Sequence, residues 1–266
     1  LSVQDGANWT RRIEAVTEDA AVYSLTATDA DGGSDWAEPT LPAPYYVRLI
    51  VPDLALVQDA DAADGALREY GFVGAYNDAT FRGVEIFRSP DAALWDRLGA
   101  VVRSATWGAV TAAPGAPVSS FIWDDTNTIT VSLSNGDLDS ATDLEVLNGA
   151  NMAALVGADG QAEIIQFVTV TPLGGPSYRL SRLLRGRRGT EDQAGRRSAG
   201  DAFVLLTPGE TFRFEALPSE ASATRYHRAV TVFDTVETAR ATVTKAARGR
   251  AEKPYAPAQI AGARDG

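Results

Sequence analysis

SYRLSRLLRGRRGTE, Ser177–Glu191, is the stretch on which the reading of this chain turns. Its first half alternates: Tyr178 and Leu180 point one way, Arg179 and Ser181 the other, the two-residue period of a strand. At Arg182–Leu183 the apolar register slips, which predicts a bulge or an exit from the sheet. Arg182, Arg185, Arg187 and Arg188 follow, with Gly186 and Gly189 freeing the backbone for a tight turn. A sheet is thus expected to feed an exposed, rigidly anchored arginine loop. Two uses of it stay open. The arginines can pair bidentately with a partner's carboxylates, or they can serve the fold by capping carbonyls of the turn. The first use makes Arg182, Arg185, Arg187 and Arg188 interface candidates.

Strand signals continue on both sides. Upstream, Thr128–Leu133 alternates without a break, Ile129, Val131 and Leu133 inward, and Asn135-Gly136 is a turn. Ser140 or Thr142 can cap a short helix through Leu147, ended by Gly149. Ala153–Val156 and Glu163–Val170 form a hairpin around Ala158–Gly160. In its second arm Ile164 and Val168 face one way and Ile165 and Phe167 the other, a strand covered on both sides. Downstream, Ala202–Leu206, Thr211–Glu215, Arg225–Val232 and Val236–Ala246 extend the sheet. Further back, Thr10–Ala15, Tyr45–Val51, Phe72–Tyr76, Arg82–Arg88 and Val101–Val110 also read as strands. Asp53–Arg68 holds one short helix or a loop-rich connection. The prolines at 39, 42 and 44 and the AAPGAP run, Ala112–Pro117, read as stiff linkers.

The fold class expected is therefore mainly β: two to three antiparallel modules, sandwich-like or barrel-like, joined by Pro-rich linkers, with only short helices. The division expected is 1–42, the end of a preceding β domain; 43–116, a sandwich with a weak likeness to fibronectin-type modules; 117–250, a second β module carrying the arginine loop; and 251–266, a linker. The chain opens on Leu1 in what reads as mid-domain, as a piece of a larger polypeptide would.

Composition narrows the function classes. Cysteine is absent, so disulfides and thiolate metal sites are excluded. No apolar run approaches the roughly 18 residues of a membrane-spanning helix, and neither end reads as a signal peptide. The net charge of −11 is unevenly spread. Residues 1–178 carry 8 basic against 25 acidic groups (8 − 25 = −17), and residues 179–266 carry 16 against 10 (16 − 10 = +6). Such polarity suits docking on charged partners, or simply an acidic domain beside a basic one. Stable binding of nucleic acid is disfavoured by the acidic two-thirds and by Tyr178 being the only aromatic near the arginines.

Catalytic motifs are weak. Asp124-Asp125, Asp137/Asp139 and Glu191-Asp192 pair acids next to turn residues, where Asp serves the backbone; adjacent strand residues face opposite ways and cannot flank one bond. A hydrolase would need separated acids such as Asp124 and Glu163. His227 is the only histidine, and Arg225 and Arg228 beside it oppose the imidazolium a general base must form. Asp59/Asp61/Asp64 and Asp29/Asp31 lack the spacing and bidentate Glu of a calcium loop. Trp9, Trp36, Trp95, Trp107 and Trp123 are scattered, so core or interface roles are expected of each. No enzyme activity, no cofactor and no metal is expected.

A resemblance sharpens this. LEVLNGANMAALVG (Leu144–Gly157), EIIQF (Glu163–Phe167) and YRLSRLLRGRRGTE (Tyr178–Glu191) stand in the order of an N-G-A-N-x-A-L segment, an I-Q-F strand and a G-L-L-R-G-R-R-G-T turn. In that order they resemble the baseplate hub, "megatron" or host-specificity proteins of gene transfer agents and related siphophage tails. The likeness covers roughly Thr128–Leu206 and departs at Ser181–Arg182, where that family more often has a small residue and Gly. It implies a structural part of a phage-like tail tip, between hub and fibronectin-type modules, that positions receptor-binding modules for attachment and DNA delivery. It also implies a location in the virion tail after assembly in the bacterial cytoplasm. The partners implied are further copies of the chain in a homotrimer, other tail proteins and, through neighbouring domains, host surface polysaccharide. Two alternatives remain: a cell-wall or surface-polysaccharide hydrolase fragment, and a carbohydrate-binding adhesin module.

Overall fold

The computed structural model describes the backbone of residues 2–4, 10–19 and 22–29 and, with side chains, residues 45–54, 57, 68–216, 222–246 and 250. Two compact units divide at Pro44. In the first, β1 (Ser2–Gln4), β2 (Thr10–Asp19) and β3 (Val22–Asp29) form an antiparallel three-stranded sheet with a bulge between Ile13 and Ala15.

The second unit is built in three layers. Its described strands are β4 (Val47–Ile50), β5 (Arg68–Ala75), β6 (Val84–Ser89), β7 (Asp96–Val101), β8 (Trp107–Ala112), β9 (Ile129–Asn135), β10 (Met152–Val156), β11 (Ala162–Gly174), β12 (Ser177–Arg187), β13 (Ala202–Leu205), β14 (Phe212–Glu215), β15 (Thr224–Thr231) and β16 (Ala241–Ala246). β10, β11, β12, β9, β8 and β13 close into a six-stranded barrel, which leaves that sheet no open edge. A middle sheet runs β14-β5-β4, and an outer one β16-β15-β6-β7. The architecture is mainly β, with one short α-helix among the described residues, α1 (Asp143–Leu147).

Alternation assigns each strand its faces. Ile129, Val131 and Leu133 point into the barrel with Leu155, Ile165, Phe167, Leu180 and Phe203. Their neighbours Ala154, Val156, Ile164, Ala202 and Val204 point outward and pack on Ile50, Tyr70 and Phe72 of the middle sheet. On its other face that sheet buries Leu49, Val51, Val73 and Ala75 against Val84, Ile86 and Ala229 of the outer sheet. β5 is thus covered on both sides, and its run of buried residues is unbroken from Tyr70 to Ala75. Gly74 is required at this junction: a Cβ there would fall 2.4 Å from Trp107 Nε1, whose N–H donates to the Ala75 carbonyl at 2.8 Å.

Several expectations need correction. Residue 116 is not a module boundary. The outer and middle sheets take β4–β7 from before the barrel and β14–β16 from after it, so the barrel is inserted into a sandwich. Ala112–Pro117 is not a linker between modules; it belongs to the β8–β9 connection within the barrel, where the Gly115 carbonyl accepts from Arg185. Val101–Val110 is not one strand. It ends β7 and begins β8, with the crossing between layers at Ser104–Ala105, whose groups bond back to β5. Val236–Ala246 is strand only from Ala241, because Thr231–Arg240 makes hydrogen-bonded turns through Asp234 and Thr235–Thr238. The prolines at 39, 42 and 44, most of Asp53–Arg68 and the segment 251–266 lie outside the described residues.

Candidate functional site

The arginine segment is where sequence reading concentrates function, and the fold draws most of it inward. β12 pairs with β9 only as far as Leu180. Arg182 then adopts φ +54°, and Leu183 exchanges main-chain hydrogen bonds with Asp124 of the β8–β9 connection, at 2.8 and 3.1 Å. The strand changes partner at the residue where the apolar register slips. The register shift itself lies further on, opposite Ile164–Gln166, where Gly186 has φ +58°. A Cβ on Gly186 would come within 2.7 Å of Glu191 Cα, so the turn admits no side chain there.

Arg185 is not an exposed interface residue. Alternation places it on the interior face with Leu183, and on β11 it places Glu163 on the same face as Ile165 and Phe167. Its Nε and Nη2 reach Glu163 Oε1 and Oε2 at 2.6 and 3.0 Å. Nη1 reaches Asp124 Oδ2 at 3.1 Å and the Gly115 carbonyl at 3.0 Å. The side chains of Arg185, Glu163 and Asp124 are 0%, 0% and 4% exposed. One guanidinium thus fills its donor fork against two carboxylates and a carbonyl, tying the β8–β9 connection to the barrel strands. Burial works to raise the Asp124 carboxyl, but the Asn127 N–H and amide, Arg185 and the Thr126 N–H outweigh it and hold the group below its ordinary value.

Arg182 works at the surface of the same region. Its guanidinium pairs bidentately with Asp143 at the start of α1, at 2.9 and 2.6 Å. It also reaches Asp125 at 3.0 Å and lies 4.8 Å from the centre of the Trp123 ring. Hydrogen bonding to Asp143 pushes the guanidinium further up and the Asp143 carboxyl down. A strand, a helix and a loop are stapled by one side chain. The two segments it joins carry exposed Phe121, Ile122, Leu144 and Leu147.

Arg187 is half-buried, and its Nε donates to Gln166 Oε1 at 3.0 Å. Burial lowers its guanidinium, the Arg188 charge lowers it further, and Glu191 opposes both. Arg188, also half-buried, takes φ +55° at the tip of the turn. Thr190 locks that turn: its Oγ1 donates to the Arg187 carbonyl at 2.7 Å and accepts from Ile164 N–H at 2.9 Å. Arg250 clamps the far side, donating to the Gly189 carbonyl at 3.1 Å and to both oxygens of Asp192 at 2.7 and 2.9 Å. Sequence reading singled out neither Arg250 nor Arg197, which donates to the Gln161 carbonyl and Gln193 Oε1. Neither residue lies in a motif; only their distance from the turn in sequence hides them.

The acids chosen for a hydrolase, Asp124 and Glu163, do come together, but on Arg185 and out of reach of a substrate. Asp125 faces the other way, to Arg182. Asp137 accepts from the Tyr178 hydroxyl at 3.3 Å, and Asp192 is held by Arg250. His227 is buried in β15 with its ring 5.6 Å from that of Phe214. Among the described residues no three His, Asp or Glu side chains are grouped to hold a metal; Asp59, Asp61, Asp64 and Asp31 lie outside them, as does the side chain of Asp29. Trp9 and Trp36 are outside too, while Trp95, Trp107 and Trp123 each lie against an arginine: Arg228, Arg48 and Arg182.

What these features define is a mainly β protein in which the arginines of this region chiefly bind its own acids and carbonyls. Residues 105–204 match the family model described as Rcc01698-like, C-terminal, a family name associated with gene transfer agents. The matched span begins two residues before β8 and ends within β13, so it is the barrel. No curated protein matches the chain.

Proposed function

We propose that this chain is a structural segment of a phage-like tail tip, a part of a baseplate hub or host-specificity protein that holds receptor-binding modules in place. The observation that carries the reading is the coincidence of the family match with a barrel cross-braced from within by Arg185. A barrel with no open edge and a charged interior brace is suited to transmit position rather than to turn over substrate. The partners proposed are further copies of the chain, as a homotrimer, and other tail proteins in the virion. Exposed apolar residues on the segments stapled by Arg182 support contact with such partners. No catalytic role is proposed.

The experiment is deletion of the coding region followed by electron microscopy and mass spectrometry of particles. Tails that lack a completed tip support the reading; intact, infectious tails end it. Release of reducing ends from purified cell wall by the chain would establish the hydrolase alternative instead. Glycan-array binding without turnover would select the adhesin.

A further inference from the structure

Among the described residues β4 is the last strand of the middle sheet, paired along one edge only, with β5. The Tyr76 N–H donates to the Tyr46 carbonyl, so Tyr46/Tyr76 is a hydrogen-bonded pair, and Arg48/Gly74 and Ile50/Phe72 are the next ones. Two bonds on the far side of β5 agree: Ala75 N–H to Ser104 Oγ at 2.9 Å, and Ala105 N–H to the Val73 carbonyl at 2.8 Å. By the same alternation the N–H and C=O groups of Val47, Leu49 and Val51 point away from β5. Among the described residues they take no partner, although Leu49 and Val51 are buried. Buried main-chain groups are otherwise almost always paired.

Beyond this edge lies a cleft of about 660 Å³. One wall belongs to the barrel and is formed by its Val156–Gly160 turn and by Ala199–Ala202, most of whose side chains are absent or a single methyl. The other wall is Val243–Ala246 of β16, whose outer edge is likewise unpaired among the described residues. At the Pro52 end the cleft is closed by Asp53 N–H to the Gly160 carbonyl and by Lys245 Nζ to the Pro52 carbonyl. At the other end the cleft is lined by Arg48, whose guanidinium lies 5.5 Å from the centre of the Trp107 ring. The Arg240 guanidinium lies 5.7 Å from the centre of the ring of Tyr46, two residues before Arg48. Neither has a carboxylate partner among the described residues.

We propose that the cleft receives an extended segment of a partner polypeptide, which adds to β4 as a further strand. The repeat of donor and acceptor at every second residue is what a β-strand supplies. Its side chains on the barrel side fill the space left by the glycine and alanine wall and are large and apolar. Those on the β16 side lie against Val243 and Thr244 and are short or β-branched. At the open end, acidic residues meet Arg48 and Arg240.

Displayed random peptides of about eight residues, a strand with its flanks, are selected against the purified chain, and enriched peptides are titrated by fluorescence anisotropy. Enrichment of alternating apolar sequences with an acidic end is expected. Binding should protect the amides of Val47, Leu49 and Val51 from exchange and leave those of Arg48 and Ile50, already bonded, unchanged. Ala199→Trp, from an exposed position, fills the cleft and should weaken binding by about tenfold or more. Leu49→Pro and Leu49→Ala lose the same packing, but only Pro removes the cleft-facing N–H, so Pro should bind the weaker of the two. Failure to enrich any peptide, protection elsewhere, or full binding by Ala199→Trp overturns the proposal.

Discussion

Replacing Arg185 by Met removes the only cation inside the barrel's charged brace and leaves its shape nearly filled. Asp124 keeps the Asn127 and Thr126 donors at 2.9–3.3 Å. Glu163 keeps only the Gly186 N–H at 3.3 Å, and its side chain has no exposure through which water can take over. Breaking a buried pair by deleting one partner costs about 3–5 kcal/mol, because the remaining charge is stranded. For a unit of this size about 1 kcal/mol moves the midpoint by about 2–4 °C, so a fall of about 6–20 °C is expected. Scanning calorimetry of Arg185→Met against the parent chain measures it. Two further readouts separate a stranded charge from a mere packing defect. The deficit should shrink as pH falls from 7.5 towards 5, since a buried carboxylate without its counter-charge is relieved by taking up a proton. Adding Glu163→Met should recover most of the loss, as apolar replacement of whole buried ion pairs usually does. A midpoint within about 2 °C of the parent, a deficit that ignores pH, or no rescue by Glu163→Met would refute the brace.

Three other outcomes follow from the same geometry. Gly186→Ala forces a side chain into left-handed backbone at a cost of about 1–2 kcal/mol, before its clash with Glu191; urea denaturation should show at least that loss. Thr142→Ala removes a capping box in which Thr142 Oγ1 accepts from Glu145 N–H and Glu145 returns the bond at 2.7 Å, for about 1 kcal/mol by the same assay. The Asp124, Asp143 and Asp91 carboxyls are all held below their ordinary values. Depressed groups add stability that is complete above their unfolded value near about 3.9 and is lost as pH falls through the folded one. Melting midpoints recorded across pH should therefore hold level down to about 5 and drop below about 4.

How much of this was legible follows from the range of each signal. Alternation is a local property, and it gave the faces of β9 and the two-sided cover of β11 correctly, down to Ile164 against Ile165. The cap at Thr142 and the turn glycines were equally local. Module boundaries were not: Ala112–Pro117 has the composition of a linker, but a Pro-Gly run serves as well to cross the end of a barrel, and only pairing partners tell the two apart. The insertion of the barrel into the sandwich rests on β14–β16 returning to β4–β7, a pairing across more than a hundred residues that no period records. For the arginines, position in a loop suggested exposure. The deciding fact was that Arg185 has the parity of Leu183 and Glu163 that of Ile165, two alternations that each point inward and need each other's charge.

That last point reshapes how the arginine turn should be probed for partners. A triple charge reversal at Arg185, Arg187 and Arg188 would place a third carboxylate beside Glu163 and Asp124 and unfold the barrel, so lost assembly would say nothing about contact. Arg187 and Arg188 alone leave the brace intact, and Phe121, Ile122, Leu144 and Leu147 can be made polar without touching Arg182's bonds. The Arg182 staple is then the element to preserve, because it fixes the segments that carry those apolar side chains. Contact through this face then depends on apolar side chains that Arg182 at the surface and Arg185 in the interior hold in place.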